Sequence, residues 1–163
     1  MLIRKARQED LPQLLEIYNH EITHGVATFD LEPLTLKERQ AWFDSHQDER
    51  HPLLVAEEDG AAAGYASLSP FLPKAAYGTS AELSVYVDRS CRGRGIGLAL
   101  TQAVLDLARA DPGTHRVYSL VTAGNAASRR MHEKLGFRLA GTITEAGMKF
   151  GRYLDVEYWE LAV

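Results

Sequence analysis

The sequence predicts a mixed α/β fold, one sheet covered by helices, and three observations carry that expectation. Apolar residues at helical spacing alternate with short runs of strand character along the 163 residues. Asp59-Gly60 joins two such runs as a tight hairpin would, because both central residues tolerate positive φ. A glycine-rich turn, Arg92-Gly93-Arg94-Gly95-Ile96-Gly97, stands between a strand pattern and a helix pattern.

The elements follow in order. Met1 to Arg7 reads as a strand, and Leu11, Leu14, Leu15, Tyr18 and Ile22 then recur at helical spacing. Thr35 and Glu38 have the spacing of a capping box, and Trp42 and Phe43 follow, which places a second helix up to about His46. Leu53 to Glu57 and Ala63 to Leu68 are antiparallel strands around the Asp59-Gly60 turn, and Pro70 to Tyr77 breaks the pattern. Glu82 to Val87 alternates polar and apolar side chains as a half-buried strand does. Leu100, Val104, Leu107 and Ala108 mark a helix that Asp111-Pro112-Gly113 stops, since proline cannot continue the hydrogen-bond ladder. Val117 to Val121 is a strand, Ala126 to Leu135 a helix closed by Gly136, and Phe137 to Thr144 and Tyr153 to Leu161 are the last strands. No repeat or linker divides the chain, so one domain over residues 1–163 is expected.

Composition narrows the function. A net charge of -4 argues against nucleic acid, whose binding needs a basic face. No apolar stretch is long enough for a membrane span, so the expectation is a cytoplasmic protein without a membrane partner. The single cysteine, Cys91, cannot form an internal disulfide, and the six histidines lack metal-ligand spacing, so no metal is expected.

The glycine-rich turn carries the chemistry. Glycines let backbone N–H groups close on an anion, and the helix N-terminus adds positive potential, so the turn reads as a phosphate cradle. It lacks the Lys-Ser/Thr end of a Walker loop, and Leu98 stands where a dinucleotide fingerprint needs glycine. A strand-to-helix turn without a ligand is the alternative for these residues alone.

Arg92, Gly95 and Gly97 resemble the Arg/Gln-x-x-Gly-x-Gly/Ala turn of the GNAT acetyltransferases. The stretch Asn125 to Phe137, ending Glu133-Lys134-Leu135-Gly136-Phe137, is similar to the segment that follows in that family. Tyr18-Asn19-His20-Glu21-Ile22, Thr28-Phe29, Ala81 to Val87, Arg130-Met131-His132-Glu133 and Lys149-Phe150-Gly151 resemble, within that family, the phosphinothricin and methionine sulfoximine acetyltransferases. The resemblance implies a mostly antiparallel sheet with helices on both faces and splayed central strands holding acetyl-CoA. It implies pyrophosphate contacts from Arg92, Gly93, Arg94, Gly95, Ile96 and Gly97, main-chain contacts from Val85 and Val87, and further cofactor contacts from Tyr86, Asn125 and Ser128.

The same resemblance implies Glu82 as general base and His132, where many GNAT enzymes carry Tyr, as its partner or as the acid. An α-amino group must lose a proton before attacking a thioester, which a carboxylate can accept. An exposed strand carboxylate and a structural helical histidine are the bland readings of those two residues. Phe29, Phe71, Lys74 and Tyr77 are the expected substrate residues, with Leu72 where close relatives often carry Arg or Lys. The expected acceptor is a small amino-acid-like amine, acetylated directly and not through Cys91, and a homodimer is implied. Peptide, protein or aminoglycoside acetylation, or CoA sensing without catalysis, are the alternatives.

Overall fold

The computed structural model describes Met1–Val163. Its strands are β1 (Leu2–Lys5), β2 (Leu53–Glu58), β3 (Ala61–Pro70), β4 (Ser80–Val87), β5 (Arg116–Thr122), β6 (Arg138–Lys149) and β7 (Arg152–Ala162). Its helices are α1 (Leu11–His24), α2 (Leu36–Asp44), α3 (Ile96–Ala110) and α4 (Ala126–Lys134). Local chemistry sets the boundaries where it was anticipated. The Glu38 N–H donates to Thr35 Oγ1 at 3.3 Å while the Thr35 N–H donates to the Glu38 carboxylate at 2.7 Å, closing the capping box of α2. Asp59 and Gly60 both take positive φ in the β2–β3 hairpin.

The seven strands form one sheet in the order β1-β2-β3-β4-β5-β7-β6, antiparallel at every junction except the parallel β4/β5 pair. Alternation along β2 sends Leu54 and Ala56 to one face, with Leu100 and Val104 of α3, and Leu53 and Val55 to the other, with Leu11 and Leu14 of α1 and Phe43 of α2. A bulge opposite Ala56 and Glu57 inserts Ala63 as an extra residue in β3. Ala62 and Tyr65 consequently share the α1/α2 face although their spacing is odd.

The strongest departure from the expected elements is β6, which continues beyond Thr144 to Lys149. Its register against β7 shifts between Ile143 and Gly147, Glu145 takes φ 51°, and the Glu145 N–H donates to Asp155 Oδ1 at 2.7 Å. The turn-like Glu145-Ala146-Gly147 is thus absorbed as an irregularity within a long strand.

Candidate active site

β4 and β5 pair only over Ser80–Glu82 and Arg116–Tyr118, and beyond that point the strands part. The Asp88 N–H donates to the Ala63 carbonyl at 2.9 Å, which makes Asp88/Ala63 a hydrogen-bonded pair of the β3/β4 ladder. Antiparallel pairs alternate, so Tyr86, Ser84 and Glu82 also bond to β3, while Val87, Val85 and Leu83 turn their N–H and C=O groups toward the gap. Arg92 Nε donates to the Val87 carbonyl at 3.2 Å, in keeping with this phase. Val85 and Val87 therefore offer main-chain groups to a ligand in the gap. Tyr86 does not: its backbone is committed to Tyr65, and its ring packs against Tyr18 and Tyr65 on the α1 face.

The glycine-rich turn lies just beyond β4. Gly93 and Gly95 take φ 76° and 81°, and Gly95 is the N-cap of α3, with open space where a Cβ would stand. From Arg92 to Leu98 no backbone N–H finds an acceptor within the chain. A run of unpartnered donors at a helix N-terminus fits a pyrophosphate. Ile96 can contribute only its backbone, because its side chain is buried in the core. Arg94 turns away to Glu58 at 2.8 Å, and Arg92 pairs with Glu21 of α1 at 2.9 Å.

Glu82 and His132 lie on opposite faces of the sheet. Glu82 shares the α1/α2 face with Tyr86, while its neighbours Leu83 and Val85 face α3. Its half-buried carboxyl is raised above the usual carboxylate range by desolvation alone, so nothing in the chain holds it charged. His132 packs on the other side against Phe137 and Trp159 and is 1% exposed. Its Nδ1 lies 2.7 Å from the Ser128 carbonyl and must donate to it, so in the neutral ring Nε2 accepts the Ser119 hydroxyl at 2.7 Å. Burial pushes its pKa down. Glu82 and His132 share no hydrogen bond, and the sheet residue that His132 does bond is Ser119 of β5. Asn125 caps α4 by accepting the Ser128 N–H at 3.1 Å, and the Ser128 carbonyl is spent on His132.

The expected substrate residues fall into two places. Phe71 stacks on Tyr118 with ring centroids 4.3 Å apart, and Tyr77 meets Phe71 edge-on at 6.0 Å. Tyr118 is the β5 partner of Glu82, so these three rings form a shelf beside the carboxylate. Phe29 instead lies over β6, where a Cβ on Gly147 would come within 2.4 Å of its ring. Lys74 is exposed and forms no ion pair. Tyr118 and Ser119 were not singled out from the sequence. Alternation along Val117–Val121 places them on opposite faces, but only the β4/β5 register shows that Tyr118 borders Glu82, and only the packing of α4 that Ser119 meets His132.

Residues 11–137 match the model of the Acetyltransferase (GNAT) family. The chain belongs to the GNAT acetyltransferase family. Among its relatives are an N-acetyltransferase of Streptomyces griseus (46% identity, covering 97% of this chain and 84% of the relative) and a phosphinothricin N-acetyltransferase of Streptomyces coelicolor (43%, covering 97% and 94%). An L-methionine sulfoximine/L-methionine sulfone acetyltransferase of Pseudomonas paraeruginosa is 40% identical, covering 98% and 92%. The GNAT fold extends to solved structures. A ribosomal-protein-alanine N-acetyltransferase from Brucella melitensis superposes with TM-score 0.96 at 39% identity, covering 100% of both chains. A phosphinothricin acetyltransferase from Sinorhizobium meliloti in complex with acetyl-CoA gives 0.94 at 30%, covering 99% and 88%. The open main-chain groups of the β4/β5 gap and the unpartnered donors of the turn suit the amides and the pyrophosphate of acetyl-CoA.

Proposed function

We propose that this enzyme transfers the acetyl group of acetyl-CoA to the α-amino group of a small amino-acid analogue of the phosphinothricin, methionine sulfoximine or methionine sulfone type, in the cytoplasm and as a homodimer. The single observation that carries the reading is Glu82. It is a half-buried carboxylate without an internal partner, beside an aromatic shelf, where β4 and β5 begin to part. The names of the two relatives at 43% and 40% identity support the acceptor class.

Glu82, directly or through a water, takes a proton from the ammonium group, and the freed amine attacks the thioester carbonyl. The N–H groups that Val85 and Val87 turn to the gap are the donors available to the pantetheine arm and to the developing oxyanion. The C–N bond forms, the C–S bond breaks, and the second proton of the attacking nitrogen passes, through water, to the departing CoA thiolate, which leaves as the thiol. His132 holds the Ser119 hydroxyl through Nε2, and its part in the reaction, as base partner or as acid, runs through that hydroxyl. The shelf of Phe71, Tyr77 and Tyr118 holds the acceptor side chain, and the exposed Lys74 is the cation available on that loop to a carboxylate.

A second reading, acetylation of a protein N-terminus, draws on the name of the Brucella melitensis structure. The deciding experiment measures CoA thiol release with methionine sulfoximine, methionine sulfone, phosphinothricin, common amino acids, peptides and aminoglycosides. Saturable release with an amino-acid analogue establishes the proposal. Release with peptides alone transfers it to the second reading, and acetyl-CoA binding without turnover across the panel overturns catalysis on free amino acids.

A further inference from the structure

The Tyr18-Asn19-His20-Glu21-Ile22 stretch contributes no group to the chemistry above, yet three of its side chains grip the segment between α1 and α2. The Tyr18 hydroxyl contacts Thr28 Oγ1 at 2.8 Å and also Asp30. Asn19 brackets Leu34, donating to its carbonyl at 2.9 Å and accepting its N–H at 2.8 Å. Glu21 does more. One carboxylate oxygen accepts the Ala27 N–H at 3.3 Å, and the other accepts from Arg92 Nη2 at 2.9 Å. Its side chain is 12% exposed, against 53% for Arg92, so the carboxylate is enclosed while the rest of the guanidinium remains open. Gly25 makes room for it: a Cβ there would stand 1.8 Å from Glu21 Oε1.

We propose that Glu21 is a positioning residue that ties the cofactor turn to the substrate loop. It presents the open edge of Arg92 to the pyrophosphate and, through its other oxygen, fixes Ala27, next to Thr28 and Phe29. A guanidinium anchored by Val87 and Glu21 has fewer orientations to lose when a phosphate arrives. The same carboxylate closes the turn that leads into Thr28, whose carbonyl accepts from Lys149 Nζ at 2.9 Å, the ammonium also reaching the Glu21 carbonyl at 3.4 Å. The two binding surfaces thus share one side chain. The acceptor side of this inference rests on the proposed function; the cofactor side does not.

Three variants separate the two contacts. Glu21→Gln keeps a carbonyl oxygen for Ala27 but loses the ion pair. Glu21→Ala loses both contacts. Gly25→Ala expels the carboxylate without removing its charge from the chain. Acetyl-CoA affinity by calorimetry should weaken up to about five-fold in all three, the scale of an ion pair with one partner open to solvent. Amide exchange at Ala27–Asp30 should accelerate in Glu21→Ala and Gly25→Ala but stay near wild type in Glu21→Gln. The acceptor KM should follow the exchange and not the acetyl-CoA affinity, with kcat at saturation little changed, a split that general destabilisation would not produce. Unchanged acetyl-CoA affinity in both Glu21 variants, or unchanged exchange in Glu21→Ala, overturns the inference. If the wild type binds acetyl-CoA yet acetylates no amino-acid analogue, the proposed function fails, while affinity and exchange still decide the role of Glu21.

Discussion

Glu82 combines two properties that a base for an ammonium substrate needs: a carboxyl held above its ordinary range by desolvation, and no internal donor that would have to be displaced. Glu82→Gln should lower kcat by about 10²- to 10⁴-fold, the usual span for a positioned general base, while acetyl-CoA affinity stays near wild type. Because the base must be ionised, kcat/KM should rise with pH along a limb displaced upward from about 4.3, the ordinary glutamate value. A full-rate Glu82→Gln enzyme across pH would remove the assignment. Two histidines set a separate pH dependence. Burial depresses the pKa values of His46 and His132, and each has both ring nitrogens engaged in the neutral form. The unfolded chain therefore binds more protons than the folded one once pH drops below about 6.5, and stability should decline from there downward. Thermal midpoints of His46→Gln measured from pH 8 to 5 should show a gentler decline than wild type. The strand that carries Glu82, just before the glycine-rich turn, was legible in the sequence. The engagement of His132 was not, because its key partner, Ser119, lies on another element with no sequence spacing to announce it.

At the scale of elements, the turn between β4 and α3 carries a prediction about backbone and not side chains. Gly95 stands at φ 81° in open space, so a larger residue meets no atom there, yet it must occupy the left-handed region. Gly95→Val should destabilise the fold by about 1–3 kcal/mol in urea unfolding and weaken acetyl-CoA binding by a larger factor than Gly97→Ala does. Gly97 accepts a Cβ at ordinary contact distances from Val87, Met131 and Val85, so Gly97→Ala should leave stability nearly unchanged. Elements whose signals are local were read correctly from the sequence: the α2 capping box, the Asp59-Gly60 hairpin, and the stop of α3 before Pro112. The extent of β6 was not, because Glu145-Ala146-Gly147 has turn composition, and its place in a strand depends on Asp155 across the ladder. The phase of β3 was hidden for a related reason: the Ala63 bulge reverses which residues face each helix layer, and no periodicity in an alanine-rich strand reports it.

For the molecule as a whole, the sheet ends in β6, an edge strand whose Leu139, Ile143 and Met148 are exposed, with Phe150 and Tyr153 exposed in the adjoining hairpin. Native edges are usually blunted, and one of this length with apolar side chains is suited to being covered by another copy of the chain. Analytical ultracentrifugation of the wild type should give twice the chain mass, and Ile143→Lys combined with Met148→Lys should shift it toward the monomer with unchanged circular dichroism. A monomeric wild type would exclude the dimer. Seen mechanically, the sheet is two leaves hinged on the short parallel stretch Ser80–Glu82 and Arg116–Tyr118. A molecule bound between the leaves would act as a stitch across a tear, taking up main-chain groups that the polypeptide itself leaves open.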